Sequence, residues 1–248
     1  MKKTILFSLM SALVATTSFT SCQTEPEVGT VTLKFDYKWA MNGADFEMNT
    51  PLFQPMSGDT LNFSTFKHYV SNIRLMDSDS NWWSQDESYF LLDVSDPSTL
   101  TVSLDNVPAG EYIAMQIMSG VDSLRNVSGA QVGALDVANN MFWSWNTGYI
   151  FIKAEGTAPS NGDSDFRYHL GGIEAPNKAF MTRELAFNTN VTIGAEQGAT
   201  VQLLSNPARL FHTYGSVTNG AMIMMPNANA AQMASDFNTW IRIGTIVN

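Results

Sequence analysis

Residues Thr30–Trp39 read TVTLKFDYKW and decide the fold class, because polar and apolar side chains alternate along them almost without a break. Successive side chains of a β-strand point to opposite faces of its sheet. The alternation therefore predicts a strand with one face in a core and the other in water. The apolar face of this strand carries Val31, Leu33, Phe35, Tyr37 and Trp39.

Similar short runs, separated by turns rich in Gly, Pro, Asn and Asp, follow along the chain and are typical of strands. These runs are Thr60–Met76, Tyr89–Val94, Leu100–Leu104, Glu111–Met118, Tyr149–Ala154, Phe166–Leu170, Arg183–Phe187, Val191–Ile193 and Thr200–Leu204. Helical spacing of apolar residues occurs in Ala230–Trp240, and Asn206–His212 reads as one or two helical turns capped by Asn206. The order predicts an all-β, antiparallel β-sandwich, immunoglobulin-like or jelly-roll-like, with one or two short helices near the C terminus.

The N terminus has the pattern of a bacterial lipoprotein signal peptide, which we place at residues 1–21. Two lysines precede a short apolar run, and small polar residues lead to Cys22, the only cysteine of the chain. Cys22 is therefore predicted to carry a lipid, and disulfides and thiol catalysis are excluded from the mature protein. Residues 22–29 are expected to form a tether and residues 30–248 a single domain, held at the outer membrane and facing the periplasm or the outside.

The charge of the chain is strongly negative. Removal of Lys2 and Lys3 with the signal peptide leaves 11 basic and 23 acidic residues, so the formal charge changes from −10 to −12. Such a surface excludes nucleic acid as a partner and disfavours electrostatic docking on anionic lipid. The lipid on Cys22 is therefore the expected contact with the membrane.

The turn after the second predicted strand resembles the start of a calcium loop, because Asp77, Asp79 and Asn81 match its first three ligand positions. Trp82 replaces the glycine that the sharp bend requires, and Ser88 replaces the closing glutamate. We therefore interpret this segment as a solvated hairpin loop.

Enzymatic signatures are missing from the sequence: it contains no phosphate-binding glycine loop, no nucleophile elbow and no His-Glu-x-x-His helix. We therefore expect a protein that is not an enzyme, with a hydrolase as a weaker alternative. A metal site has better support, because imidazoles suit copper and zinc and thioethers suit cuprous ion. The histidines are His68, His169 and His212. The densest methionine run is Met222–Met225, in which Met222 and Met224 are predicted to fill one face of a strand as core residues.

The stretch Met141–Tyr149 reads MFWSWNTGY and places Trp143 and Trp145 two residues apart. With FKHYVSNIRL from Phe66, VPAGEY from Val107, GVDS from Gly120 and HLGG from His169, it follows the order and spacing of the MbnP-like family. The chain resembles these methanobactin-associated copper-binding proteins, in a lipoprotein form of the kind found in Bacteroidetes. The resemblance extends from about Val31 to the C-terminal helix.

This resemblance implies a copper-binding β-sandwich that acts in metal acquisition or storage outside the cytoplasm. It also implies a di-haem, peroxidase-like partner that oxidises a tryptophan, which then joins histidines at copper. Trp143 and Trp145 match the family's paired tryptophans, and His169 matches the histidine of its His-Leu-Gly element. His68 stands where many relatives carry an aromatic residue, and His212 is the remaining candidate ligand. We expect Asp122, Asn146 or Tyr149 to orient the imidazoles.

A rival hypothesis is a surface binding or structural lipoprotein that holds a glycan or a protein and needs no metal. In that case the tryptophans of the central stretch belong to the core, and Trp82 and Trp83 are the aromatics available to a ligand. Substitution of Trp82 would then weaken ligand binding, and metal chelators would have no effect.

Overall fold

The computed structural model describes residues 27–39, 43–127, 129, 131–144, 147–162, 164–195 and 197–248, and two β-sheets packed face to face dominate it. The five-stranded sheet consists of β1 (Val28–Trp39), β2 (Ala44–Asp45), β7 (Thr101–Pro108), β14 (Ala199–Ser205) and β16 (Arg242–Val247). The nine-stranded sheet consists of β3 (Pro51–Phe53), β4 (Thr60–Asp77), β5 (Trp82–Ser84), β6 (Tyr89–Asp93), β8 (Gly110–Ser119), β11 (Ile152–Ala158), β12 (Ser164–Leu170), β13 (Met181–Ile193) and β15 (Met222–Ile223).

The remaining elements are small and lie between or after the strands. A two-stranded ribbon is formed by β9 (Phe142–Ser144) and β10 (Gly148–Tyr149). The α-helices are α1 (Ser123–Asn126) and α2 (Ala228–Asn238), and 3-10 turns span Pro97–Leu100, Gly133–Leu135, Val137–Asn139, Pro159–Asn161, Pro207–Phe211 and Val217–Asn219. No helix in the described ranges is both long enough and apolar enough to cross a membrane.

The predicted all-β sandwich is confirmed, and the alternation of the first strand explains how its layers meet. The apolar side chains of β1 are buried and point toward the nine-stranded sheet. The Tyr37 and Phe66 rings pack edge to face with centroids 6.0 Å apart, and Trp39 packs in the same way on Phe63 at 5.6 Å. Such aromatic pairs add to the free energy that burial of their area supplies. The core therefore lies between β1 and β4.

The pairing of strands differs from a purely antiparallel sandwich at two places. β1 runs parallel to β14, and β12 runs parallel to β15. Both pairs join segments that are distant in the sequence, and a parallel pair needs a long connection that local patterns do not reveal. The sheets are therefore mixed.

Several element boundaries also differ from the predictions. Residues 181–193 form one strand with a register shift between Ala186 and Val191, where we predicted two strands. The helix α1 and the strand β16 had no predicted counterpart. The turn after β4 is a hairpin loop as predicted, and the Asp77 carboxylate accepts the backbone N–H groups of Asp79 and Asn81.

Candidate metal-binding face around His169

His68 and His169 belong to strands that flank β11 on its two sides. His68 of β4 is opposite Ile152, whereas His169 of β12 is opposite Lys153. Because adjacent residues of a strand point to opposite faces, the two imidazoles lie on opposite faces of the sheet. His68 faces the core. His169 lies on the opposite face, which we call the outer face and which also carries Lys67, Lys153, Glu155 and Arg167. The His169 side chain is nevertheless buried, with 7% of its surface exposed.

His68 is sealed between the two sheets, with no exposed surface. Its Nε2 lies 2.7 Å from the Tyr37 hydroxyl, and the rings of Phe66 and Phe237 pack on it edge to face. Burial lowers the pKa of His68 to about 4, so its imidazole is neutral at neutral pH. Its Nδ1 has no hydrogen-bond partner among the described residues.

His169 has a carboxylate partner. Its Nε2 lies 2.6 Å from Oε1 of Glu155, which sits diagonally across the β11–β12 pair. Burial lowers the pKa of His169 more than Glu155 raises it. Burial also raises the pKa of Glu155, but the hydrogen bond from His169 and the charge of Lys153 outweigh this effect and lower it. A neutral imidazole therefore donates Nε2–H to an ionised carboxylate, which leaves the lone pair on Nδ1.

This hydrogen bond is the arrangement that orients metal-binding histidines in proteins. A ligating imidazole usually donates its other N–H to a carboxylate or carbonyl, which fixes its tautomer and ring orientation. Glu155 therefore takes the role that we assigned to Asp122, Asn146 or Tyr149. The sequence does not identify Glu155 because its closeness to His169 depends on the pairing register of β11 and β12.

Trp143 covers the chain just beyond His169. A Cβ atom at Gly171 would lie 2.8 Å from a carbon of the Trp143 six-membered ring, so only glycine fits beneath this indole without a shift. Leu170 faces the core, so Gly171, the next residue, faces outward on the same side as His169. The Trp143 Nε1 is buried and has no hydrogen-bond partner among the described residues.

Gly148, in the tryptophan stretch, occupies a position that the structure restricts to glycine. Gly148 has φ +78°, a backbone conformation that favours glycine, and a Cβ there would lie 2.1 Å from the Asn126 amide. The Oδ1 of Asn126 accepts the backbone N–H of Tyr149, and the Tyr149 hydroxyl donates to the Leu135 carbonyl at 2.5 Å. The stretch is thereby held against the preceding loop.

The other predicted site residues are not brought to His169. His212 is exposed and ends the Pro207–Phe211 turn. Asp122 caps α1 and accepts hydrogen bonds from Tyr89 and Asn72. Burial raises the pKa of Asp122, but the hydrogen bonds outweigh this effect, so the pKa is lowered overall. The predicted residues outside the described part of the chain are Cys22, Trp145 and Asn146.

A three-histidine site is consequently not assembled by this fold. Within the described ranges, no group of three His, Cys, Asp or Glu side chains could hold a metal ion. On the outer face the structure brings one imidazole, that of His169, together with the Glu155 carboxylate.

Three cavities of different volume indent the protein. A cavity of about 300 Å³ lies where the tryptophan stretch meets the segment after β12, and Thr147, Gly172, Glu174 and Met225 contribute to its wall. Larger clefts of about 640 and 500 Å³ share Tyr89, Gly133 and Ala134 and contain neither His169 nor Trp143.

Comparison with known proteins places the chain in a family. A family model described as MbnP matches residues 28–226. Among solved structures, MbnP from Methylosinus trichosporium is similar, with a TM-score of 0.51 and 17% sequence identity over 82% of this chain and 86% of that one. At this identity the structural match shows a shared fold. A search of curated proteins finds no match.

Proposed function

Because this chain belongs to the MbnP family, we propose that it is a lipid-anchored protein that binds copper outside the cytoplasm, at the outer face of its nine-stranded sheet. The role is metal acquisition or storage, with no catalysis. The observation that carries the proposal is the His169–Glu155 pair, whose 2.6 Å hydrogen bond leaves the Nδ1 lone pair for a metal. Imidazole nitrogen is a common ligand of copper.

Copper binding can be tested on the purified mature chain. We expect the protein to retain stoichiometric copper after gel filtration, and His169→Ala to abolish retention. His212→Ala is the matched control, because His212 is exposed and lies on a different element. Elemental analysis showing no copper in the wild type, or equal copper in His169→Ala, would contradict the proposal.

We further propose that a di-haem, peroxidase-like partner oxidises Trp143. Its ring lies against Gly171, two residues from His169, and its buried Nε1 lacks a partner among the described residues. Oxidative cleavage of the indole C2–C3 bond by dioxygen, activated at the partner's haem, followed by hydrolysis that releases C2 as formate, would convert Trp143 to kynurenine. This reaction replaces the ring N–H with an aryl amine and places a ketone on the side chain. Tandem mass spectrometry after co-expression with such an enzyme should locate the modification at Trp143, and a modification confined to another tryptophan would contradict this assignment.

The lipid anchor rests on the sequence around Cys22. We expect metabolic labelling with an alkynyl fatty acid to mark the wild-type protein and not Cys22→Ser. Labelled protein should be found in the outer-membrane fraction. Protease treatment of intact cells would then distinguish a surface location from a periplasmic one, because only surface-exposed protein is degraded.

A second candidate function, the binding of a polar ligand without metal, is favoured by the cleft of about 640 Å³. Its wall combines aromatic and hydroxyl side chains with the Lys67–Asp93 ion pair, whose atoms are 2.8 Å apart. Such a mixture suits a sugar or another polyhydroxyl ligand. Binding on a glycan array that is insensitive to chelators and lost in Asp93→Ala would support this candidate.

A further inference from the structure

The methionine run at the end of the nine-stranded sheet is exposed rather than buried. Met222, Met224 and Met225 are 58%, 41% and 66% exposed, whereas Ile223 between them is 4% exposed. The prediction that Met222 and Met224 fill a core face is therefore wrong. Three neighbouring thioethers in contact with water have no packing role that would explain them.

The register of β15 brings this run alongside β12. Met222 pairs with Arg167, and Ile223 pairs with Tyr168, in a parallel arrangement. Farther along, a Cβ at Gly172 would lie 3.1 Å from the Pro226 Cβ, so the two segments stay adjacent beyond the paired residues. Continued by one residue beyond β15, this register places Met224 opposite His169, at about the 4.8 Å spacing of neighbouring strands.

The alternation of side chains decides the direction in which Met224 points. Ile223 and its partner Tyr168 are both buried in the core. The positions on either side of Ile223 consequently face outward, which agrees with the exposure of Met222 and Met224. We therefore infer that the Met224 side chain, one residue beyond β15, lies on the same face of the sheet as the His169 imidazole.

We propose that Met224 supplies a thioether ligand to a metal ion held by His169, so that the site selects monovalent Cu⁺ or Ag⁺ over Cu²⁺ and Zn²⁺. This inference rests on the proposed copper function and names the donor that the histidines do not provide. Thioether sulfur is a soft ligand that favours cuprous ion over harder divalent ions. Ionised Glu155 remains the hydrogen-bond partner that orients the imidazole.

The test uses silver(I), a stable monovalent probe, with methyl-¹³C-methionine NMR of the mature chain. Added Ag⁺ is expected to shift the methyl signal of Met224 and to leave that of Met56, which is 50% exposed in another loop. Loss of one ligand, in Met224→Leu, should weaken Ag⁺ and Cu⁺ affinity by about 10-fold or more. Met56→Leu is the matched control and should bind like the wild type.

The possible outcomes separate this inference from the function on which it rests. If His169-dependent Cu⁺ binding occurs but Met224→Leu retains wild-type affinity and the Met224 methyl signal does not move, the thioether ligand is refuted and the copper function stands. If neither ion binds, or binding persists in His169→Ala, both are refuted. Because Met224 is exposed, its replacement by leucine is not expected to unfold the chain, and circular dichroism checks this.

Discussion

The two faces of the nine-stranded sheet surround their histidines, His68 and His169, with different environments. On the inner face, His68 is sealed among aromatic rings and holds the Tyr37 hydroxyl. On the outer face, His169 is held by the Glu155 carboxylate next to Trp143 and exposed methionines. The position of a histidine in the strand alternation therefore decides whether its imidazole is enclosed by the aromatic core or paired with a carboxylate on the outer face.

The largest expected difference between the two faces is in stability. We expect His68→Ala to lower the free energy of unfolding by about 3 kcal/mol, because it leaves a cavity in a packed aromatic core. His169→Ala removes one hydrogen bond on the outer face and should cost less, about 1 to 2 kcal/mol. Urea denaturation of both variants measures this difference, and equal losses would remove the distinction between the faces.

The pH dependence of the free energy of unfolding should reveal the titration of His68 on the inner face. The pKa of His68 is about 4 in the folded chain and about 6.5 in the unfolded chain, so the unfolded chain binds the extra proton between these values. Stability should therefore fall as the pH is lowered from 6.5 to 4, by about 3 kcal/mol from this residue. His68→Phe should lack this component, and an unchanged pH slope in denaturation would contradict the assignment.

Substitution of Gly171 tests the packing of Trp143 on the outer face. Gly171→Ala should cost about 2 kcal/mol, because the new Cβ meets the Tyr149 carbonyl oxygen at 2.5 Å and the Trp143 ring at 2.8 Å. Displacement of the indole should also change the tryptophan fluorescence. At Gly194 the nearest atom belongs to the flexible Gln197 side chain, so Gly194→Ala is the matched control and should change neither property.

The smallest expected effect concerns the hydroxyl that holds His68. Tyr37→Phe removes the 2.7 Å contact to Nε2 and leaves a buried polar atom without a partner, at a cost of about 1 to 2 kcal/mol. Copper binding should not change. A thermal melt measures the loss of stability. Tyr112→Phe removes a hydroxyl that is only partly buried, and it should lower the stability less.

Local patterns in the sequence predicted much of the fold. The alternation of Thr30–Trp39 matches β1, and the predicted helix Ala230–Trp240 matches α2 to within two residues at each end. Asn206 caps its turn as predicted, by accepting the Ala208 N–H. The strand β16 was missed because its alternation is weak, and α1 because one turn of helix has no periodicity to detect.

The site was less predictable, because it depends on pairing between distant strands. One signal was present in the sequence: His68 stands at an apolar position of its alternating run, whereas His169 stands next to the apolar Tyr168 and Leu170. That pattern already separates the two imidazoles. The neighbours Glu155 and Met224 depend on the register of β11, β12 and β15, and the apolar Met222–Met225 run carries no alternation that would indicate exposure.

Anomalous diffraction at the copper edge, from crystals of the mature protein loaded with copper, would locate the metal directly. We predict a single strong peak on the outer face, beside Nδ1 of His169 and the sulfur of Met224. A peak at His68 or His212, or no peak in crystals soaked in a copper solution, would contradict the assignment of His169 as a metal ligand.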